Sequence, residues 1–403
     1  MLSLKLKKLK SARFLLLVLS GVWAVPVLFV LRFLNRFFPL ELVCIRSDRI
    51  GHFLPDGAEA IARIALDETK KIQFHFLEFD PINKQWAKML ARNIQLRSWC
   101  RPVSYFDSKV PIGKKLVRSA TLAKSRDVTG LFYQTTKAQL AFTEDEAEFC
   151  KDWMRSHGIS DGKDFVCLMC RDSNYLLKES RFAGEDFSYH DYRNADIGTF
   201  KKSIEYLNSK GVWVIRMGRN MQVRNDINNK RYIDYANCDG ASDLLDIWLF
   251  SNCTACIGTG TGPDNFPNVY RRPTLFVNFL PLINLHHYHF TLTVPKNLSW
   301  IECGEQLTFA EYCDAKFMSS NQYLDAGIEI VDLSEDEIAE AVREFWGRVT
   351  GDWVSNKDAE ERQSLLWSTY MAYSEHSEEQ LWKHPEARIG EQWLKLRGNG
   401  FLP

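Results

Sequence analysis

The sequence predicts an α/β protein: two facing, Rossmann-like parallel-sheet domains behind an N-terminal membrane-associated helix. Three observations carry that prediction. Short apolar runs alternate with helix-spaced segments twice along the chain, first over residues 40–105 and again from Phe165 onward. Gly158-Ile159-Ser160-Asp161-Gly162 separates the two series as a linker. At 403 residues the chain exceeds the size at which a single hydrophobic core stops growing. The expected organisation is a membrane segment over 1–38, a first domain over 39–158 and a second over 159–333. Helices over 334–403 are expected to pack back on the first domain.

The N-terminal segment combines charge and apolarity. Lys5, Lys7, Lys8, Lys10 and Arg13 come without any acid, and Phe14 to Leu31 is then unbroken apolar sequence, closed by Arg32 and Arg36. That length suits a marginal span with Pro26 inside it, and cations on both flanks favour a kinked or re-entrant segment with both ends inside. The body is then cytoplasmic and attached to the inner membrane.

In the first domain Leu40 to Arg46 reads as a core strand. The loop Ser47-Asp48-Arg49-Ile50-Gly51-His52 follows, then a helix over Pro55–Lys70. A strand at Gln73–Phe79, a helix at Lys84–Ile94 and a strand near Cys100–Tyr105 come next, and Thr143 with Glu146 forms a capping box opening a helix to His157. In the second domain the strand Phe165–Cys170 ends in Arg171-Asp172-Ser173. A polar loop with Tyr192, Arg193, Asn194 and Asp196 precedes a helix over Ile197–Ser209, and Val212–Ile215 is a strand ending at Arg216-Met217-Gly218. Another strand at Tyr232–Tyr235 and a helix at Ser242–Phe250 lead to Ala255-Cys256-Ile257, a buried strand. The loop after it has three glycines in five residues, Gly258, Gly260 and Gly262, with Thr259 and Thr261 between them. Such a loop and the helix after it bring backbone N–H groups close to an anion. All these polar loops fall at strand carboxyl ends, where open α/β sheets bind ligands.

Composition narrows the classes. Lys plus Arg and Asp plus Glu are 51 each, so no basic excess points to nucleic acid. Ten cysteines are too few for a disulfide scaffold in a chain this long. Cys167/Cys170 and Cys253/Cys256 have Cys-x-x-Cys spacing, but Cys167 and Cys170 point to opposite faces of a strand, so they read as small buried hydrophobes. His286, His287 and His289 lack a cysteine or carboxylate at ligand spacing and read as surface or acceptor contacts.

Arg46-x-x-Arg49-Ile50-Gly51-His52 resembles the first-strand loop of heptosyltransferase-like glycosyltransferases. Gly258-Thr259-Gly260-Thr261-Gly262 with Arg272-Pro273-Thr274 resembles that group's second glycine loop. The chain departs from it at Gly260 and Asn265, which stand for Asp and His, and at His52, which stands for the loop aspartate. A closer resemblance is to a bacterial family of surface-polysaccharide glycosyltransferases. It rests on Arg49–His52, Arg171–Tyr175, Tyr192–Asp196, Ile215–Gly218, Ser242–Ile247 and Ile257–Gly262, in that order. The resemblance implies a GT-B fold, no metal cofactor, inversion, a nucleotide-sugar donor on the second domain, and a polysaccharide or lipid-linked glycan acceptor.

On that reading Arg171, Asp172, Ser173, Arg216, Gly218, Gly258, Thr259, Gly260, Thr261, Gly262 and Asn265 form the donor site. His52, whose ordinary pKa lies near operating pH, is the general base, with Asp48 the second candidate. Arg49, Gly51, Tyr175, Tyr192, Arg193, Asn194 and Asp196 line the rest. Each role has a structural alternative. His52 orders its loop or caps a helix, Arg171 and Arg216 pair with Asp172 or another acid, and Asp196 and Ser242 cap the helices after them. Two other functions stay open: a membrane-tethered, non-catalytic glycan or partner binder, and a pyruvyl or phosphoryl transferase.

Overall fold

The computed structural model describes residues 15–66, 71–119, 127, 129–135, 137, 139–172, 188–219, 221, 227, 229–285, 289–373, 382–398 and 400–403. They fall into two compact units, one within Met1–Ser125 and Lys137–Ala141, the other within Arg126–Thr136 and Phe142–Pro403.

The first unit is a parallel sheet of β1 (Leu40–Ile45), β2 (Ile72–Leu77) and β3 (Val117–Ser119), in the order β2-β1-β3. Its helices are α1 (Gly21–Leu34), α2 (Ile50–Leu66), α3 (Lys84–Asn93) and α4 (Cys100–Lys109). The strand expected near Cys100–Tyr105 is therefore α4. Cys100, Val103 and Asp107 are buried at helical spacing, and Pro102 sits in the first turn, where its missing N–H costs no bond. The third strand comes instead from Val117–Ser119.

The N-terminal expectation also changes. No helix among the described residues is long and apolar enough to cross a membrane. Ala24 and Leu28 of α1 lie in the same buried cluster as Leu42, Phe76, Cys100 and Val103, so one face of α1 is core of the first unit. Gly21 permits the close approach, because a Cβ there would sit 2.8 Å from the Phe106 ring. At the other end of α1, Arg32 donates to Asp107 at 2.8 Å in a buried ion pair. The same carboxylate accepts the Leu116 and Val117 N–H groups at 3.0 and 3.2 Å, tying α1, α4 and β3 together.

The second unit is a seven-stranded parallel sheet. Its strands are β4 (Phe165–Met169), β5 (Trp213–Arg216), β6 (Tyr232–Ile233), β7 (Ala255–Gly258), β8 (Thr274–Phe279), β9 (Thr291–Pro295) and β12 (Arg388–Ile389), in the order β12-β9-β8-β7-β4-β5-β6. β10 (Asn297–Trp300) and β11 (Ile328–Val331) pair separately and antiparallel. Every residue of β4, β7 and β8 is buried, as strands covered on both faces must be. Chain order runs outward from β4 through β5 and β6, then restarts at β7 on the other side. This is the doubly wound arrangement, and its switch point lies between β4 and β7.

α5 (Glu144–Ser156) opens on the expected Thr143–Glu146 capping box but belongs to the second unit, so the boundary falls before it rather than at 158. The C-terminal helices α6 (Glu335–Thr350) and α7 (Lys357–Tyr373), expected over the first domain, are part of the second unit instead. Val342, Phe345, Leu366 and Tyr370 share the core that holds β8 and β9.

The Asp107 hub gives a test. Asp107→Ala leaves two buried N–H groups and a guanidinium without their acceptor, which should cost the first unit about 3 kcal/mol. Faster hydrogen exchange of the β1 amides and a lower urea midpoint should report it. An unchanged midpoint would mean Asp107 carries no such role.

Candidate functional site

The second unit concentrates polar groups at the carboxyl ends of β4 and β7. The chain leaves β4 through Cys170 to Arg171, whose N–H donates to Thr259 Oγ1 at 3.0 Å across the switch point. The Arg171 carbonyl accepts from Ala195 N at 3.0 Å, and its Nε donates to Asn194 Oδ1 at 3.0 Å. Arg193 reaches the Gly260 carbonyl from the same segment. The Arg193 guanidinium thus meets the glycine loop and that of Arg171 meets Asn194, and neither has a carboxylate within ion-pair distance among the described residues. Burial, and then the neighbouring Arg193 charge, push the Arg171 guanidinium down to about 10. An anion here would relieve both causes.

Other polar atoms of the same loops are buried without hydrogen-bond partners. They are the Tyr192 hydroxyl, Arg193 Nε, Thr261 Oγ1 and Asp264 Oδ1. Lys296 Nζ lies below, buried, donating to the Asn194 carbonyl at 2.7 Å and to Asp332 at 2.5 Å.

Within the loop the glycines answer to sterics. A Cβ on Gly258 would sit 2.3 Å from Asp264 Oδ1. Gly260 has φ +76, and a Cβ there would press on the Phe279 ring. The Thr261 N–H donates to Asp264 Oδ2 at 2.5 Å, so a side chain already takes this amide. The helix after the loop, Asn265–Val269, has only 5 residues. The loop thus has one amide fewer to offer an anion than its glycine pattern suggests, and it supports the Arg193 guanidinium through the Gly260 carbonyl. Asn265 donates to the Gly262 carbonyl at 3.1 Å and stays inside the loop.

Arg216 lies elsewhere. It is 1 % exposed, donating to Asp234 at 3.2 Å and facing Asp172 at 3.6 Å. This is the ion-pair alternative for Arg216, while the Asp172 charge also acts on Arg171. Gly218 has φ +125 in the turn after β5. Arg219 bridges Asp243 and Asp246 at 3.0 and 2.6 Å. Asp196 caps the turn after it, accepting from Gly198 N at 2.9 Å, and Ser242 caps the helix Asp243–Asn252. Ser173, Tyr175, His286 and His287 lie outside the described residues. His289 is buried, not at the surface, with Nδ1 on the Phe290 carbonyl at 2.9 Å and Nε2 on Asn268, and burial pushes it down to about 3.

The first unit's loop opens α2. His52 is in the first turn of that helix, its N–H on the Arg49 carbonyl at 3.1 Å. Burial, then the Arg46 and Arg49 charges, hold its imidazole below the ordinary value against the pull of Asp48, which favours a neutral ring at pH 7. Burial alone would raise Asp48, but the Arg46 hydrogen bond at 2.8 Å wins and lowers it, which favours its charged form. The sequence reading missed Asp56, 2 % exposed beneath this loop, accepting the Arg46 N–H at 3.1 Å. Burial, reinforced by Glu59 and Glu78, raises it to about 7. Asp264, also missed and also near 7 through burial, is its counterpart in the second unit. The signal available for both was an acid directly after proline just past a strand-end loop, Pro55-Asp56 and Pro263-Asp264.

No family model matches the chain, and no curated protein matches it. Solved structures do. The glycosyl transferase family 9 protein from Veillonella parvula aligns at 9 % identity over 76 % of this chain and 97 % of its own, with a TM-score of 0.46. The E. coli ADP-heptose lipopolysaccharide heptosyltransferase II aligns at 10 % identity over 64 % and 85 %, with a TM-score of 0.34. The dodecameric glycosyltransferase TibC from enterotoxigenic E. coli aligns at 12 % over 60 % of each chain, with a TM-score of 0.33. These are enzymes of the glycosyltransferase type, the distantly heptosyltransferase-like group that the sequence resembles.

One expectation is corrected by them. TibC is described as iron-containing, so freedom from metal does not go with this likeness. Among the described residues no group of three or more His, Cys, Asp or Glu side chains is placed to hold a metal ion, so no step is assigned to one.

Asp56 yields a pH test. Its folded pKa lies above the unfolded value, so its contribution is full below about pH 4 and is lost as pH rises to about 7. Asp56→Asn imitates the protonated form. Its stability relative to the unsubstituted protein should rise by about 1 kcal/mol per pH unit between pH 5 and 7, then level off. A pH-independent difference in urea midpoints would refute the raised pKa.

Proposed function

We propose that the chain is a glycosyltransferase that moves a sugar from a nucleotide-diphosphate donor to a glycan or glycolipid acceptor in bacterial surface-glycan assembly. The observation that carries this is the pair Arg171 and Arg193, held without carboxylate partners at the switch point of a doubly wound unit. Guanidiniums bind diphosphate oxygens through short charge-assisted bonds, and the same contacts stabilise the departing diphosphate. Thr259, Thr261 and Tyr192 supply hydroxyls beside them. His52, favoured as the neutral ring, is the proposed base that takes the acceptor hydroxyl's proton, giving inversion by direct displacement. The N-terminal segment attaches the protein to the inner membrane, with the body in the cytoplasm. A tethered, non-catalytic binder is the second reading. It draws on the engagement of the Thr261 amide by Asp264, which leaves the loop less to offer a phosphate.

Calorimetry with ADP, UDP and their sugar conjugates tests the donor. Arg171→Ala and Arg193→Ala should each weaken binding about 10- to 100-fold, the worth of a hydrogen bond to a charged group. A chain that binds no nucleoside diphosphate would favour the tethered binder.

His52→Ala should lower turnover about 100-fold or more with donor affinity intact. In the unsubstituted enzyme, turnover should hold through neutral pH and fall only below His52's lowered pKa, as the ring gains its proton. Unchanged turnover in the variant would move the base away from His52.

A further inference from the structure

The helix α1 is apolar on two opposite faces, and only one of them is covered. Gly21, Ala24, Leu28 and Arg32 lie along the face packed on the first unit. The opposite arc carries Val22, Phe29, Val30 and Phe33, and Val22 and Phe33 are 83 % and 59 % exposed. Trp23, at 43 %, flanks it, and Phe37 and Phe38 extend it at 64 % and 57 %. Among the described residues no helix is long and apolar enough to cross a membrane.

Charge identifies what covers this face. Arg36, just after α1, and Lys109, Lys114 and Lys115 are exposed, and Arg32 joins the Ile112 carbonyl of the 110–115 turn to the end of α1. Ile112, 68 % exposed, continues the apolar surface. Neither residues 21–39 nor 108–115 contain an acid, and the sequence ahead of α1 adds Lys5, Lys7, Lys8, Lys10 and Arg13. An exposed apolar arc with an aromatic flank, on segments that carry cations and no acid, matches the boundary between anionic headgroups and acyl chains.

We propose that α1 lies in the plane of an anionic bilayer, its Val22–Phe33 arc in the headgroup boundary and its Ala24–Leu28 face still docked on the first unit. This rests on the membrane association proposed above and replaces a spanning or re-entrant segment with a one-leaflet contact. Crossing the bilayer would require α1 to give up its core contacts and the buried Arg32–Asp107 pair.

The test is flotation of the full chain with phosphatidylcholine vesicles, with and without about 30 % phosphatidylglycerol. Binding should require the anionic lipid and fall at least 10-fold in the Phe29→Ser, Phe33→Ser double variant. The Lys114→Glu, Lys115→Glu variant should lose the preference for anionic lipid, and circular dichroism should match the unsubstituted chain in both. In inverted membrane vesicles, protease added outside should remove an N-terminal tag and cut the body from the same side. A protected tag with retained flotation would overturn the in-plane placement while membrane association stands. Absence of flotation would overturn both. Absence of flotation with a solution dimer that the Phe29, Phe33 variant dissociates would identify a second copy as the occupant. Nucleoside diphosphate binding by the same preparations keeps each of these outcomes separate from the transferase reading.

Discussion

The second unit turns on the parallel pairing of β4 with β7, from Val166 opposite Ala255 to Met169 opposite Gly258. These neighbours point the same way, yet the chain after β4 goes to β5 and the chain after β7 goes to β8, on opposite sides. Their outgoing loops therefore part from a common edge. A crevice follows from connectivity before any side chain is considered. With both strands buried on both faces, polar residues can gather only at the ends. Arg171 and Thr259 are the first positions past those ends that can meet, and they do, at 3.0 Å.

What fills that crevice is decided by where the charges stand. Asp264 and Asp56 are used alike: each is a buried carboxylate tucked beneath its loop to accept a main-chain N–H. Removed from water, both rise toward neutrality, because burial outweighs the main-chain N–H groups and the Arg193 and Arg46 charges that favour their ionised forms. The guanidiniums of Arg171 and Arg193 are treated differently, meeting an amide oxygen and a carbonyl oxygen. Their direct acceptors are neutral, and carboxylates act on them only at longer range. The anion recognition proposed for this unit would thus rest on side chains, and Gly258 lets the backbone pass over Asp264.

Much of this was legible. The strands beginning at Leu40, Phe165 and Ala255 are continuous apolar runs bounded by polar loops, and Thr143 with Glu146 marked the start of α5. Asp196 and Ser242 cap where their residue type and position said they could. Cys100–Lys109 misled because Val103, Tyr105 and Phe106 favour strands individually, whereas burial of Cys100, Val103 and Asp107 follows a helical period. Arg216 read as a ligand partner because it ends a strand. Only tertiary packing shows Asp234 arriving from β6 to pair with it. His289 was misplaced for the same reason: an isolated imidazole gives no sign in sequence that Asn268 and the Phe290 carbonyl await it.

The N-terminal helix shows what hydropathy alone leaves out. A segment apolar all round is compatible with a membrane span or with a buried core, because both surroundings exclude water. Packing breaks that tie one face at a time. Gly21 and Ala24 are small enough to bring α1 against α4, and Leu28 completes the core contact. Arg32 then ends the helix on Asp107, a partner that also holds the entry to β3. Once that pair is made, moving α1 away from the first unit would expose core and strand a buried carboxylate. The uncovered arc must find its apolar surroundings where the helix already lies. The proposed lipid surface, approached from the side, would provide them.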